Sequence, residues 1–402
     1  MNCMQYFLAV VLFLASIMPG YANNETDQPP VKSFEGGKLY LSPRGKFYIA
    51  ELHGNFRQMG RQYGNLLSEQ IQALYREVFD ENILKRPEAA SADLKKIADG
   101  YYASMPQMFK EFIDGVAETN GLNTEKTRIM TAILPILLEA GCSSLSAWAD
   151  YTGGGPLVVG RNLDLPTKNL GKYSKYLNVL VWNPEGYGHS VAHIDYVGGL
   201  FYQTAFNSKG IFLELQNGQV SDKKVFMDRQ NTNNVLLSSL FSASSMTDMD
   251  LFFQTTRPQA GLIMNVSTPE KSVIYEWATF RTVRREDKGL ISATNDFIDP
   301  SWKKYKVPYF NKKNEGIGYT NTRRKNLLHL GQSLKGKITP QAMMQIFDTT
   351  IPKGGATFPD EGIVRTIYQV VAVPAETRMW LKTPGYSEWE EIDLKKYFKR
   401  LQ

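Results

Sequence analysis

The chain has 402 residues, 43% of them hydrophobic and 21% charged, with a formal net charge of +6. This is an ordinary soluble globular composition, long enough for more than one hydrophobic core. Lys and Arg are scattered, with short clusters at Arg284-Arg285 and Arg323-Arg324-Lys325, so the basic stripe with aromatic platforms that marks nucleic-acid binding is missing.

In chain order, an apolar run from Tyr6 to Met18 precedes Gly20-Tyr21-Ala22. The run suits the core of an export signal and is short for a bilayer span. We expect residues 1–22 to be a cleaved signal peptide and the protein to be secreted or periplasmic. An uncleaved anchor is the alternative, because no Lys or Arg precedes the run. Strands are predicted near Lys38–Leu41 and Phe47–Leu52. From Phe56 the apolar positions recur at three and four residues, the pattern of amphipathic helices. Helical signal continues through Asp93–Met108 and Phe109–Thr119, stops at Asn120-Gly121, and resumes at Thr124. Residues 53–140 thus read as mostly helical.

After Cys142 the character changes. Leu145–Ala149, Leu157–Gly160, Tyr176–Trp182, Ser190–Tyr196, Phe201–Phe206 and Ile211–Leu215 are short aromatic and β-branched runs. Turn signals separate most of them, so they read as consecutive antiparallel strands. Helices follow at Asn233–Ser242 and Met246–Thr256, then strands at Gly261–Val266, Ser272–Ala278 and Leu290–Ala293. Further helices (Thr322–Leu330, Pro340–Asp348) and strands (Ile367–Val373, Thr377–Lys382) close the chain. Elements grouped this way predict an α+β fold with helices covering antiparallel sheets.

Chemistry concentrates at Cys142. The only other cysteine, Cys3, lies in the expected signal, so the mature chain would carry one thiol and no disulfide. Exported chains avoid lone thiols, and this one follows Gly141 and precedes Ser143 and Ser144. A thiolate nucleophile needs a base or a cation nearby. If the chain cut itself between Gly141 and Cys142, the new α-amine, titrating near 8, would be that base. Arg161, returning on the next strand, would stabilise thiolate, and Asp164 would orient an ammonium. Read separately, Arg161 and Asp164 could be a surface pair, Asn217-Gly218 a hairpin turn, Asn295-Asp296 a loop turn and Arg323-Arg324 a solvated helix face.

Taken together, Gly141-Cys142-Ser143-Ser144, Gly160-Arg161-Asn162-Leu163-Asp164, the Phe56–Gly64 segment and Gly115–Gly121 resemble the N-terminal-nucleophile amidohydrolases. That superfamily includes choloylglycine hydrolase, penicillin V acylase, acid ceramidase and isopenicillin-N acyltransferase, and the likeness is to the self-processing acyltransferase (peptidase C45) branch. It runs from about residue 50 to about residue 385. It implies a four-layer αββα sandwich, a mostly helical pro-segment or α-chain over 23–141, and a catalytic β-chain over 142–402. It implies Cys142 as nucleophile, Arg161 and Asp164 beside it, Asn217 as oxyanion donor, Asn295 holding the site, and Arg323, with Arg324 as alternative, fixing it from a helix. The substrate implied is a small N-acyl amide with a hydrophobic acyl group, cut at a linear C–N bond or passed to an acceptor amine. The scheme uses no metal and no organic cofactor, and the two chains of the precursor stay associated. Tyr196, Leu200, Phe201, Tyr202 and Phe206 are candidate pocket walls. The Cys142–Arg161 separation of 19 positions is slightly longer than in the bile-salt hydrolase branch.

Three other readings stay open on the sequence: a Cys–His hydrolase drawing on His53, His189, His193 or His329, a metal site at His189, His193 and Asp195, and a secreted ligand-binding protein.

Overall fold

A computed structural model describes residues 28–83, 85, 93–137, 141–166, 173–308, 319–360 and 362–399. The expected signal segment lies outside them. The fold is α+β, built on a ten-stranded and a six-stranded sheet.

The ten-stranded sheet begins before Cys142. Strands β1 (Lys32–Phe34), β2 (Gly37–Leu41) and β3 (Tyr48–Gly54) form its first antiparallel steps. β3 then pairs in parallel with β6 (Leu177–Pro184), from Tyr48↔Asn178 to Gly54↔Pro184. A parallel step needs a long crossover, and the helices between β3 and β6 supply part of it. The sheet continues antiparallel through β7 (Val191–Tyr196), β8 (Thr204–Asn207), β9 (Phe212–Asn217), β10 (Leu262–Ser267), β11 (Ser272–Trp277) and β12 (Thr282–Arg285). The smaller sheet runs β13–β4–β5–β14–β15–β16: Leu290–Ala293, Gly141–Ala147, Val158–Pro166, Val364–Val373, Arg378–Lys382 and Glu390–Asp393.

Asn217-Gly218 is not a hairpin turn. β9 and β10 are paired neighbours, Asn217 opposite Leu262, but the chain leaves at Gly218 and returns at Gly261, where the Gly218 N–H donates to the Gly261 carbonyl. Two helices fill the excursion, α6 (Thr232–Leu240) and α7 (Met246–Thr255).

Before Cys142 come α1 (Phe56–Leu66), α2 (Ser68–Leu74), a π-helical segment Tyr75–Ile83, α3 (Leu94–Ala103), α4 (Gln107–Thr119) and α5 (Thr124–Leu137). The helical signal expected to run to Met108 breaks five residues earlier, at Ala103, and α4 starts at Gln107 with Pro106, which cannot continue α3, at its N-cap position. α1 and α4 cross almost backbone to backbone. A Cβ at Gly115 would lie 2.2 Å from the Arg57 carbonyl oxygen, and one at Gly60 2.0 Å from that of Phe112. Gly60, Gly64 and Gly115 therefore serve this crossing, whereas Gly121 takes a left-handed turn against Gln72.

Alternation along the six-stranded sheet separates two environments. Leu145, Ala147 and Val158 face α8 (Thr320–Ser333) and α9 (Pro340–Asp348), joining Leu327, Met343, Ile346 and Phe347 in one buried cluster. Val159, Leu163 and Leu165 face the other way and join the main core with Val179, Val181 and Leu213 of the larger sheet. No helix among the described residues is long and apolar enough to cross a membrane.

Candidate active site

Cys142 is the second residue of β4 and is completely buried. β4 is lined with small residues, Gly141-Cys142-Ser143-Ser144, and pairs antiparallel with β5, Ser144 opposite Arg161 and Gly141 opposite Asp164. Alternation puts Cys142 and Ser144 on the face turned to the larger sheet. Arg161 reaches that face, and its Nη2 lies 3.3 Å from the Cys142 Sγ.

Arg161 and Asp164 are three apart on a strand, so they point to opposite faces. They are not a surface pair: both are fully buried. The Arg161 Nη1 donates to the Gln203 carbonyl and, at 2.8 Å, to the Thr204 hydroxyl. Its Nε lies 3.8 Å from the Glu214 carboxylate, and its guanidinium sits over the Tyr368 ring at 5.4 Å. On the opposite face Asp164 accepts from Arg323 Nη1 at 3.2 Å and from the Thr366 hydroxyl at 2.7 Å.

Asn295 and Arg323 close around the main chain of Cys142. The Cys142 N–H donates to Asn295 Oδ1 at 2.9 Å. The Cys142 carbonyl accepts from Arg323 Nη1 at 2.7 Å, and Arg323 Nη2 also reaches Asn295 Oδ1 at 2.9 Å. Asn295 Nδ2 donates to the Asn217 carbonyl at 3.0 Å, and its own N–H donates to Thr320 Oγ1. Arg324, the alternative to Arg323, bonds Asn321 instead.

Cys142, Arg161, Asp164, Asn295 and Arg323 thus converge on one strand end. Asn217 joins them through its main chain. Its side-chain Oδ1 turns back to the Gln219 N–H, and among the described residues it makes no contact with the thiol. At Gly141 an added Cβ would sit 3.5 Å from Asp164 Cβ, so packing leaves room for a methyl group there.

Burial dominates the electrostatics. It pushes the Cys142 thiol up to about 11, against the pull of the Arg161 guanidinium. It raises Asp164 to about 6, against Arg323 and the Thr366 hydroxyl, and Glu214 to about 7, against Arg161. The Cys142 thiol is therefore held protonated at neutral pH.

Among the described residues no histidine contacts the thiol. His193 accepts from the Trp182 indole N–H at 3.0 Å and is pushed down to about 3 by burial. His189 bonds Ser244, and His53 bonds Glu51. Asp195 is taken up by the N–H groups of Tyr196 and Phe201, each at 2.7 Å. Of the candidate pocket walls, Tyr196, Leu200, Tyr202 and Phe206 are buried core, and Phe201 is half-buried.

Glu214 was not among the residues singled out by sequence. The available signal was a carboxylate set in the strand Phe-Leu-Glu-Leu-Gln-Asn at an otherwise inward position. Its Oε1 accepts from Asn265 Nδ2 at 2.6 Å, and Asn265 Nδ2 also donates to Ser146 Oγ at 3.0 Å. Gln216 reaches Ser144 in the same buried layer, at 2.8 Å.

No family model matches the chain. It is 25% identical over 178 residues to protein dcd1B of Dictyostelium discoideum, a stretch covering 39% of this chain and 35% of that protein. The chain therefore spans about a third of the length of that relative. Among solved structures it is similar to a variant of the conjugated bile acid hydrolase of Clostridium perfringens, at 16% identity and TM-score 0.47, covering 63% of this chain and 93% of the other. It is also similar to the Caenorhabditis elegans N-acylethanolamine-hydrolyzing acid amidase ortholog, at 15% and 0.41, covering 61% and 95%. A third is penicillin V acylase of Agrobacterium tumefaciens, at 11% and 0.42, covering 63% and 87%.

Proposed function

We propose that the protein is a self-processing N-terminal-nucleophile amide hydrolase or acyltransferase of αββα architecture, made as an exported precursor. The observation that carries this reading is the setting of Cys142. Its buried thiol lies 3.3 Å from a guanidinium, its main-chain N–H and C=O are held by Asn295 and Arg323, and no histidine among the described residues is in reach. Such a thiol lacks a side-chain base, and an α-amine freed at its own nitrogen would supply one.

In maturation the thiol adds to the Gly141 carbonyl, its proton passes to the departing Cys142 nitrogen, and the Gly141–Cys142 C–N bond breaks. Water then hydrolyses the resulting thioester, leaving a Gly141 carboxylate and a free Cys142 amine. In turnover that amine takes the thiol proton, the thiolate adds to the carbonyl carbon of a linear amide, and the proton passes to the leaving amine. Arg161 stabilises the thiolate. Asp164 and Asn295 hold the ammonium, and Arg323 fixes both. Asn217 supplies an oxyanion donor, which requires its side-chain amide to face the bound substrate. Water or an acceptor amine resolves the acyl-thioester, and the scheme draws on protein groups alone. The substrate is a small N-acyl amide with a hydrophobic acyl group, and peptidase C45 is the branch we assign.

Intact mass and N-terminal sequencing of the purified protein test the reading. A fragment beginning Cys-Ser-Ser-Leu, and a Cys142→Ala variant that stays uncut and inactive, are the expected results. Amide hydrolysis by that variant would overturn the mechanism.

A further inference from the structure

The exposed apolar side chains Val225, Met227 and Phe280 are 52%, 73% and 45% exposed. Phe280 packs on a small core in which Phe297 stacks on Trp302 at 4.7 Å, and Val225 and Met227 stand on a neighbouring loop. The Phe280 ring lies 6.2 Å from Trp302. Asp222 Oδ2 accepts from both the N–H and the hydroxyl of Thr279, at 2.7 and 2.8 Å. Arg229 then ties the loop that carries Val225 and Met227 to the one that carries Phe280. Its Nη1 donates to the carbonyls of Pro258 and Thr279 at 2.6 and 2.7 Å, and its guanidinium covers the Phe226 ring at 4.1 Å.

Lys223 and Lys224 are exposed on the first loop, and Lys303, Lys304 and Lys306 are exposed on the segment that carries Trp302. Among the described residues none is paired with a carboxylate, and Asp228 is the exposed acid within the first loop. Unpaired cations interleaved with exposed apolar side chains match an anionic bilayer surface: lysines meet phosphates while apolar tips enter the headgroup boundary. We infer that this end of the molecule docks on anionic lipid. The first loop starts beside the candidate site, since Ser221 N–H bonds the Gly218 carbonyl at 2.9 Å and Ser221 Oγ accepts from Phe297 N–H. Docking would therefore present that site to the lipid surface.

The experiment is vesicle flotation of the full chain with phosphatidylcholine alone and with added phosphatidylglycerol. Binding only to the phosphatidylglycerol vesicles, released by raised salt, is expected. Lys223→Glu with Lys224→Glu should weaken it roughly tenfold or more. Met227→Ser with Phe280→Ser should weaken it as well, and the charge-matched Lys337→Glu with Lys353→Glu should not. Failure to bind phosphatidylglycerol vesicles, or equal binding to both kinds, would overturn the inference. So would full binding by the Met227/Phe280 variant, which would mean that the surface reads anions rather than lipid. Capture of an oligonucleotide or an acidic protein without vesicle binding would overturn it too. A Cys142→Ala chain should give the same results, which separates this test from that of the enzymatic reading.

Discussion

Asp164 and Arg323 form an ion pair in which both side chains are fully buried. Burying two charges is expensive, and the pair offsets that cost only while both members are present. Arg323→Met should therefore destabilise the fold by about 3–5 kcal/mol, because it strands a buried carboxylate. Adding Asp164→Asn should recover part of the loss. Thermal melts on a Cys142→Ala background, where processing cannot interfere, check this. Equal melting of Arg323→Met and its parent would show that the pair is not held as described. At this scale the sequence was informative where the signal is local. A lone Gly141-Cys142 followed by an Arg-x-x-Asp strand marked residues that the fold brings together. The counter-ions were not legible: Asp164 pairs with Arg323 from a distant helix, and Arg161 lies near Glu214 on the other sheet. The i,i+3 spacing suggested a mutual pair, but strand alternation sends the two side chains to opposite faces.

Elements were read best where their period was regular. Leu290–Ala293 and the helix at Pro340–Asp348 fall where the pattern put them. β16 went unread because Glu390–Asp393 is four residues, three of them acidic. The Gly60 and Gly115 motifs marked a resemblance, yet their physical content is a close helix crossing. The loop after β7 offers a test of buried electrostatics. Asp195, fully buried at the end of β7, is pushed up to about 8 by burial, while the Tyr196 and Phe201 N–H groups pull it down. A carboxyl whose folded value is raised binds its proton more tightly in the folded state. Its stabilising contribution is therefore full below about 4 and lost as pH rises through about 8. Melting temperature should fall across that window, and Asp195→Asn should flatten this part of the profile. The variant should melt lower than wild type in acid, where it lacks one acceptor, and higher in base. Parallel profiles for the two proteins would count against a buried, neutral Asp195.

At the scale of the whole molecule, the segment before Cys142 is not an appendage. β3 is an inner strand of the ten-stranded sheet, between β2 and β6. Seven residues of it register with β6, which follows the proposed scission point. Leu52, Met59, Tyr63, Phe109 and Phe112 share one buried cluster with Val181, Trp182 and Val191, and the Tyr63 hydroxyl accepts from the Gly198 N–H at 2.9 Å. Fully burying each such side chain is worth about 1.5–3 kcal/mol. Breaking one peptide bond at residue 141 removes none of these contacts. The two fragments should therefore co-elute as one species in native size-exclusion chromatography and part only in denaturant, in a single transition. Separation of a folded 142–402 fragment in native buffer would contradict this, because it would leave β6 as an exposed apolar edge with no partner on its β3 side. The same geometry bears on the expected mostly helical pro-segment or α-chain over 23–141. Helical period dominates those residues, and the strand expected at Phe47–Leu52 takes its place between the two sides of the proposed cut only through the parallel pairing of β3 with β6.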